Sequence, residues 1–75
     1  SEMENVSVPL LYGKNPEEVR ASLEENSLVL GNETFEKNVS RQNARVYKQE
    51  PDYNQDVLVR KGSKVDVWYR SIDQF

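Results

Sequence analysis

The chain of 75 residues has no cysteine and no histidine. The first absence excludes disulfides and thiolate–metal sites; the second removes the commonest metal ligand and general base. Lack of cysteine does not fix the compartment, because reducing cytosol and a cysteine-free periplasmic domain are both allowed. No apolar run is long enough to span a bilayer as a helix or to form the core of a secretion signal. Positive charge is not in excess either: 13 acidic residues against 10 basic ones give a net charge of −3, which argues against a binder of nucleic-acid backbone. Glycine and proline are scarce, three of each, and there is no repeat or low-complexity segment. A chain this short makes one domain that buries only ~60% of its unfolded surface. Its stability comes from one modest core and amounts to a few kcal/mol.

What is present is organised around residues 15–30, NPEEVRASLEENSLVL. Asn15 is a good helix N-cap, Pro16 occupies the first helical position, and Glu18 falls where a capping box needs it. Glu17 and Glu18 suit the positive end of the helix dipole. Val19 and Leu23 form a narrow apolar stripe. Asn26-Ser27 ends the helix, with Asn26 expected to take the left-handed conformation that glycine usually supplies there. Leu28 folds back as the apolar residue beyond the cap and opens a strand.

Around that helix the pattern is extended. Val6, Val8 and Leu10 alternate in a short lead-in that Pro9 confines to an edge. Residues 28–35 form a strand, with Leu28 and Leu30 on one face and Val29, Glu33 and Phe35 on the other. Residues 44–49 form a second strand, with Ala44 and Val46 opposite Tyr47. Val57 and Val59 line a short extended passage. Residues 65–70, VDVWYR, are the clearest strand: Val65, Val67 and Tyr69 point one way, Asp66, Trp68 and Arg70 the other. The predicted core is Val8, Leu10, Val19, Leu23, Leu28, Leu30, Val46, Val57, Val65 and Val67. The fold class is α+β, one α-helix packed on a small, three-stranded β-sheet.

The order of these elements resembles the PASTA domain, the module associated with penicillin-binding proteins and Ser/Thr kinases. The opening VSVPLLYGKNPEEVRASLEENSLVLG matches the family's Val-x-Val-Pro segment, glycine, striped helix and helix-ending Gly-Leu. VYKQEPDYNQDVLVRKGSKVDVWY matches its closing pattern, with Val46, Gln49 and Pro51 on a Val-x-x-Gln-x-Pro strand end and Lys61-Gly62-Ser63 on the Gly-Ser turn. Two positions depart from the pattern. Asn26-Ser27 and Asn54 stand where glycine is usual, and asparagine tolerates φ > 0 at both. The resemblance divides the chain into a flexible lead or cloning remnant at 1–5, one PASTA-like domain at 6–71 and a tail at 72–75.

The resemblance implies a non-catalytic, extracytoplasmic bacterial module, without cofactor or metal, in a membrane-anchored parent protein. The implied partners are peptidoglycan fragments or a neighbouring domain, with no nucleic acid and no membrane contact within this segment. Two sets of residues are candidates for that role. Phe35, Tyr47 and Trp68, all assigned to the sheet face away from the helix, would form an aromatic platform. Such a platform suits a sugar ring or a protein neighbour, or simply covers the sheet. Arg45, Lys48, Arg60 and Lys61, with Arg41 nearby, are cations that match the carboxylates of a peptide stem, and are otherwise an ordinary solvated surface. Glu17, Glu18, Glu24 and Glu25 suggest paired catalytic carboxylates only superficially, because catalytic pairs need burial that separates their pKa values. Three Asn-x-Ser/Thr triplets, beginning at Asn5, Asn32 and Asn38, match glycosylation acceptors and receive no role. The competing function is a structural spacer or protein–protein module.

Overall fold

The computed structural model describes residues 4–75. The elements run β1 (Asn5–Ser7), α1 (Pro16–Glu25), β2 (Val29–Phe35), a 3-10 turn (Arg41–Asn43), β3 (Ala44–Glu50), β4 (Leu58–Arg60), β5 (Lys64–Ser71) and a last 3-10 turn (Ile72–Gln74). Three strands form a mixed sheet in the order β2-β5-β3, with β2 parallel and β3 antiparallel to the central β5. The short β1 and β4 pair separately as an antiparallel ribbon. The architecture is therefore α+β, with one helix on a three-stranded sheet, plus the ribbon.

The helix ends follow from their residues. Asn15 accepts from the Glu18 amide at 2.8 Å while Glu18 accepts from the Asn15 amide at 3.0 Å, a complete capping box. At the other end Leu28 N–H reaches back to Leu23 C=O at 2.8 Å and Ser27 N–H to Glu24 C=O at 3.2 Å, a Schellman closure. The residue in the left-handed region is Ser27, at φ 60°, and not Asn26, at φ −100°. Asn26 instead turns its side-chain amide onto Ser22 C=O at 2.7 Å. Among the described non-glycine residues, the other one with positive φ is Asn38, not Asn54.

Val19 and Leu23 of α1 meet Leu28, Ala44, Val46, Val65, Val67 and Tyr69 in the core, with Leu11 completing it. Two predicted core positions are corrected. Leu10 is 52% exposed and Leu11 fully buried, because Pro9 interrupts the lead-in and shifts its alternation by one residue. Val57 is 51% exposed; it lies in the turn before β4, and Val59, paired with Val6 across the ribbon, packs on the core instead. Val8, by contrast, is buried as expected, and Leu30 is partly buried against the core.

Two bulges decide which side chains share a face. Between Leu30 and Glu33 β2 advances three residues while β5 advances two, from Val65 to Val67. The spare amide, Asn32 N–H, is taken by the Asp66 carboxylate at 2.8 Å. A Cβ on Gly31 would overlap that same Asp66 oxygen, so the bulge needs glycine there. In β3 a second bulge lies between Val46 and Lys48, opposite Tyr69 and Trp68. After it, Gln49 rather than Lys48 turns inward, opposite Val67.

Candidate functional site

The first bulge moves Phe35. Strict alternation puts this ring on the outer face with Trp68, but the extra residue in β2 brings it opposite Tyr69. There the two rings stack with centroids 4.6 Å apart, and Phe35 packs on the core. Phe35 is thus removed from the aromatic platform. Its partner Tyr69 is fully buried and donates its phenol to Glu33 Oε2 at 2.7 Å. Burial, reinforced by the hydrogen bond to Glu33 and by that carboxylate's charge, pushes the Tyr69 phenol well above the usual tyrosine range.

Arg60 and Lys61 do not join the platform either. Arg60 ends β4 and pairs with Asn5 in the separate ribbon. Lys61, in the following turn, forms an ion pair with Glu4 at 3.1 Å, while its amide bonds to Glu4 C=O. Arg41 lies beside the helix, 3.9 Å from Glu17 and 6.0 Å above the Phe35 ring.

The remaining four residues do converge. Arg45, Tyr47, Lys48 and Trp68 share the outer face of the three-stranded sheet, opposite the side that carries Val46, Val67 and Tyr69. The Lys48 ammonium lies 4.7 Å above the Trp68 ring, and Arg70 lies 4.0 Å above Tyr47. Each contact is worth about 0.5–1 kcal/mol at such a half-exposed position. Arg70 is a residue that sequence reasoning left out of the site, although the alternation of VDVWYR already set it beside Trp68. Its Nε is buried without a hydrogen-bond partner, so the guanidinium is held mainly by the ring. Arg45, register partner of Arg70, donates to the carbonyls of Gln42 and Ala44 at 3.1 and 2.8 Å. The result is two aromatic rings framed by three cations. At the other end of the face stand the register partners Glu50 and Asp66, so charge changes sign across about three residue pairs.

A cleft of about 240 Å³ adjoins this face, lined by Leu10, Tyr12, Val46, Tyr47, Lys48 and Asp52, with Gln49 between. Its far wall is the lead-in segment, positioned by Gln49. That side chain is 5% exposed, accepts from Leu11 N–H at 2.9 Å and donates to Pro9 C=O and Pro51 C=O at 3.0 and 3.2 Å. Gly13, at φ 82°, closes the turn after it and donates to Val46 C=O at 2.8 Å. The Val-x-x-Gln-x-Pro pattern was the available signal for this clamp; nothing in the spacing revealed that Leu10 and Tyr12 face it.

Arranged this way, the outer face can stack a ring on Trp68 or Tyr47 and pair anions with Arg45, Lys48 and Arg70. No helix among the described residues is long and apolar enough to cross a membrane. Comparison with curated proteins and with solved structures gave no significant match. A family model, that of the PASTA domain, matches residues 6–71, nearly the whole chain, from within β1 to the end of β5. PASTA domains are a family of non-catalytic binding domains, and the chain belongs to the PASTA family.

Proposed function

We propose that this chain is an extracytoplasmic module of a membrane-anchored bacterial cell-envelope protein, and that its outer sheet face recognises peptidoglycan fragments. PASTA domains are peptidoglycan-binding-type modules that sit outside the cytoplasm in their parent proteins. The observation that carries the reading is the grouping of Tyr47 and Trp68 with Arg45, Lys48 and Arg70 on one exposed face. Sugar rings present C–H faces that pack on aromatic rings. Stem carboxylates need cations, and arginine offers a planar fork for them. Lys48 must swing off Trp68 to admit a ring, which costs about 0.5–1 kcal/mol and frees its ammonium for a carboxylate.

Retention on purified peptidoglycan tests this. The wild-type chain is retained, and more strongly when two copies are linked, because the second contact becomes intramolecular. Trp68→Ala loses retention while still unfolding cooperatively, since Trp68 lies on the outer face and not in the core cluster. Equal retention of the two proteins contradicts the site.

A second reading, a spacer or protein-contact module, draws on shape and surface. The molecule measures 45 × 19 × 16 Å, and Val57 and Leu58 are exposed beside the ribbon. Concentration-dependent self-association without retention by peptidoglycan supports it instead.

A further inference from the structure

We propose that the cleft between the lead-in segment and β3 is a separate subsite for a short zwitterionic peptide, carboxylate toward Lys48 and amine toward Asp52. In the peptidoglycan reading the ligand is a stem peptide released from its sugar, which alone has a free N-terminal amine, and the inference rests on that reading for the identity of its ligand.

Size sets the first limit. A cleft of about 240 Å³ is below the usual range for a pocket that engulfs a whole small molecule, ~300–1,000 Å³. A cleft of that size encloses one or two small residues rather than a whole disaccharide-peptide. Chemistry sets the second. The apolar part of the wall is the half-exposed Leu10, which favours small aliphatic side chains, while Lys48 and Asp52 stand on the lining with opposite charges. A neutral sugar has no use for such a pair; a peptide with a free amine and a carboxylate uses both. Tyr12 and Tyr47 complete the lining.

The cleft is also preformed. Tyr12 is 59% exposed, yet it is braced edge-on by Phe75, with ring centroids 5.2 Å apart. The backbone behind it is fixed by the Gln49 clamp and by the Gly13–Val46 hydrogen bond. A ligand therefore meets walls that are already ordered, which lowers the entropy cost of binding. Tyr47 and Lys48 belong both to this cleft and to the outer face.

The test is an amide-shift titration of the isotope-labelled chain with two probes, the sugar-free stem peptide and the peptide-free disaccharide. The peptide should move Leu10, Tyr12 and Asp52 saturably. Asp52→Asn should weaken it about twofold to fivefold, the range of a single exposed ion pair, and N-acetylation of the peptide should cause the same loss. Asp52 is exposed and outside the core, so this variant folds. Shifts at Trp68 from the disaccharide with the cleft silent to the peptide overturn the subsite and leave the platform standing. Cleft shifts with Trp68 silent overturn the platform and keep the subsite. Peptide binding that is indifferent to Asp52→Asn and to acetylation overturns the assigned polarity, and silence from both probes overturns both sites.

Discussion

Replacing Gln49 by methionine keeps the volume of the side chain and deletes three hydrogen bonds at once. The Leu11 N–H, on a fully buried residue, loses its acceptor at 2.9 Å, and an unsatisfied buried donor costs about 1–3 kcal/mol. The carbonyls of Pro9 and Pro51 lose donors at 3.0 and 3.2 Å, about 0.5–1.5 kcal/mol each. The total, about 2–6 kcal/mol, is comparable with the whole stability of a domain this small. Urea unfolding followed by the emission of Trp68, the one tryptophan in the chain, measures it directly. Gln49→Met should be largely unfolded at neutral pH or show a midpoint near zero denaturant. Gln49→Glu separates the acceptor from the donors: it still accepts from Leu11 but turns a second oxygen on two carbonyls. Burial raises a carboxyl pKa in the folded state, so the stability of this variant should be present in acid and lost as pH rises. A Gln49→Met variant within about 0.5 kcal/mol of wild type, the usual scale of an uninvolved substitution, would refute the clamp.

Other perturbations follow from single contacts. Gly31→Ala should destabilise by about 1–3 kcal/mol through overpacking on Asp66, and adding Asp66→Ala should recover part of the loss; simple additivity of the two in urea unfolding would contradict the contact. Ser27→Gly should stabilise by up to ~1 kcal/mol, since Ser27 and not Asn26 holds the left-handed position; a gain from Asn26→Gly instead would reverse that assignment. Tyr69, with its phenol pKa raised by burial and Glu33, keeps its proton in the folded chain at pH values where an unfolded tyrosine, near pH 10, has lost it. The folded state then binds more protons, so stability is full below about pH 10 and falls above it. Tyr69→Phe should flatten that alkaline slope in a pH series of unfolding midpoints, and an unchanged slope would exonerate Tyr69.

Much of the fold was legible because it is local. The capping box, the apolar stripe of Val19 and Leu23, and the return of Leu28 are written within a few residues of one another, and α1 forms where they place it. β5 was equally plain, because its alternation is unbroken. The site was less legible because alternation fails at bulges. A glycine within a strand is a bulge signal, and Gly31 is the marker in the sequence for the step that turns Phe35 to the other face. The β3 bulge has no such marker: Val46-Tyr47-Lys48 reads as regular strand, and only the partner register shows the step. Leu10 and Leu11 are adjacent and chemically identical, so their exchange between core and cleft is decided by Pro9 and by the Gln49 clamp. Arg60 and Lys61 are near Trp68 in sequence, yet the ribbon carries them to another sheet, a tertiary outcome with no local signature.

The central claim is that the Tyr47–Trp68 face is where peptidoglycan fragments bind. Because Trp68 is the one tryptophan, its fluorescence reports on that face without a label. Titration with a disaccharide-peptide fragment should change Trp68 emission saturably, and the paired variant Arg45→Ala/Arg70→Ala, altered on the outer face and outside the cleft, should weaken the response while unfolding as cooperatively as wild type. Saturable binding by calorimetry with Trp68 emission unchanged would put the ligand elsewhere and contradict the account.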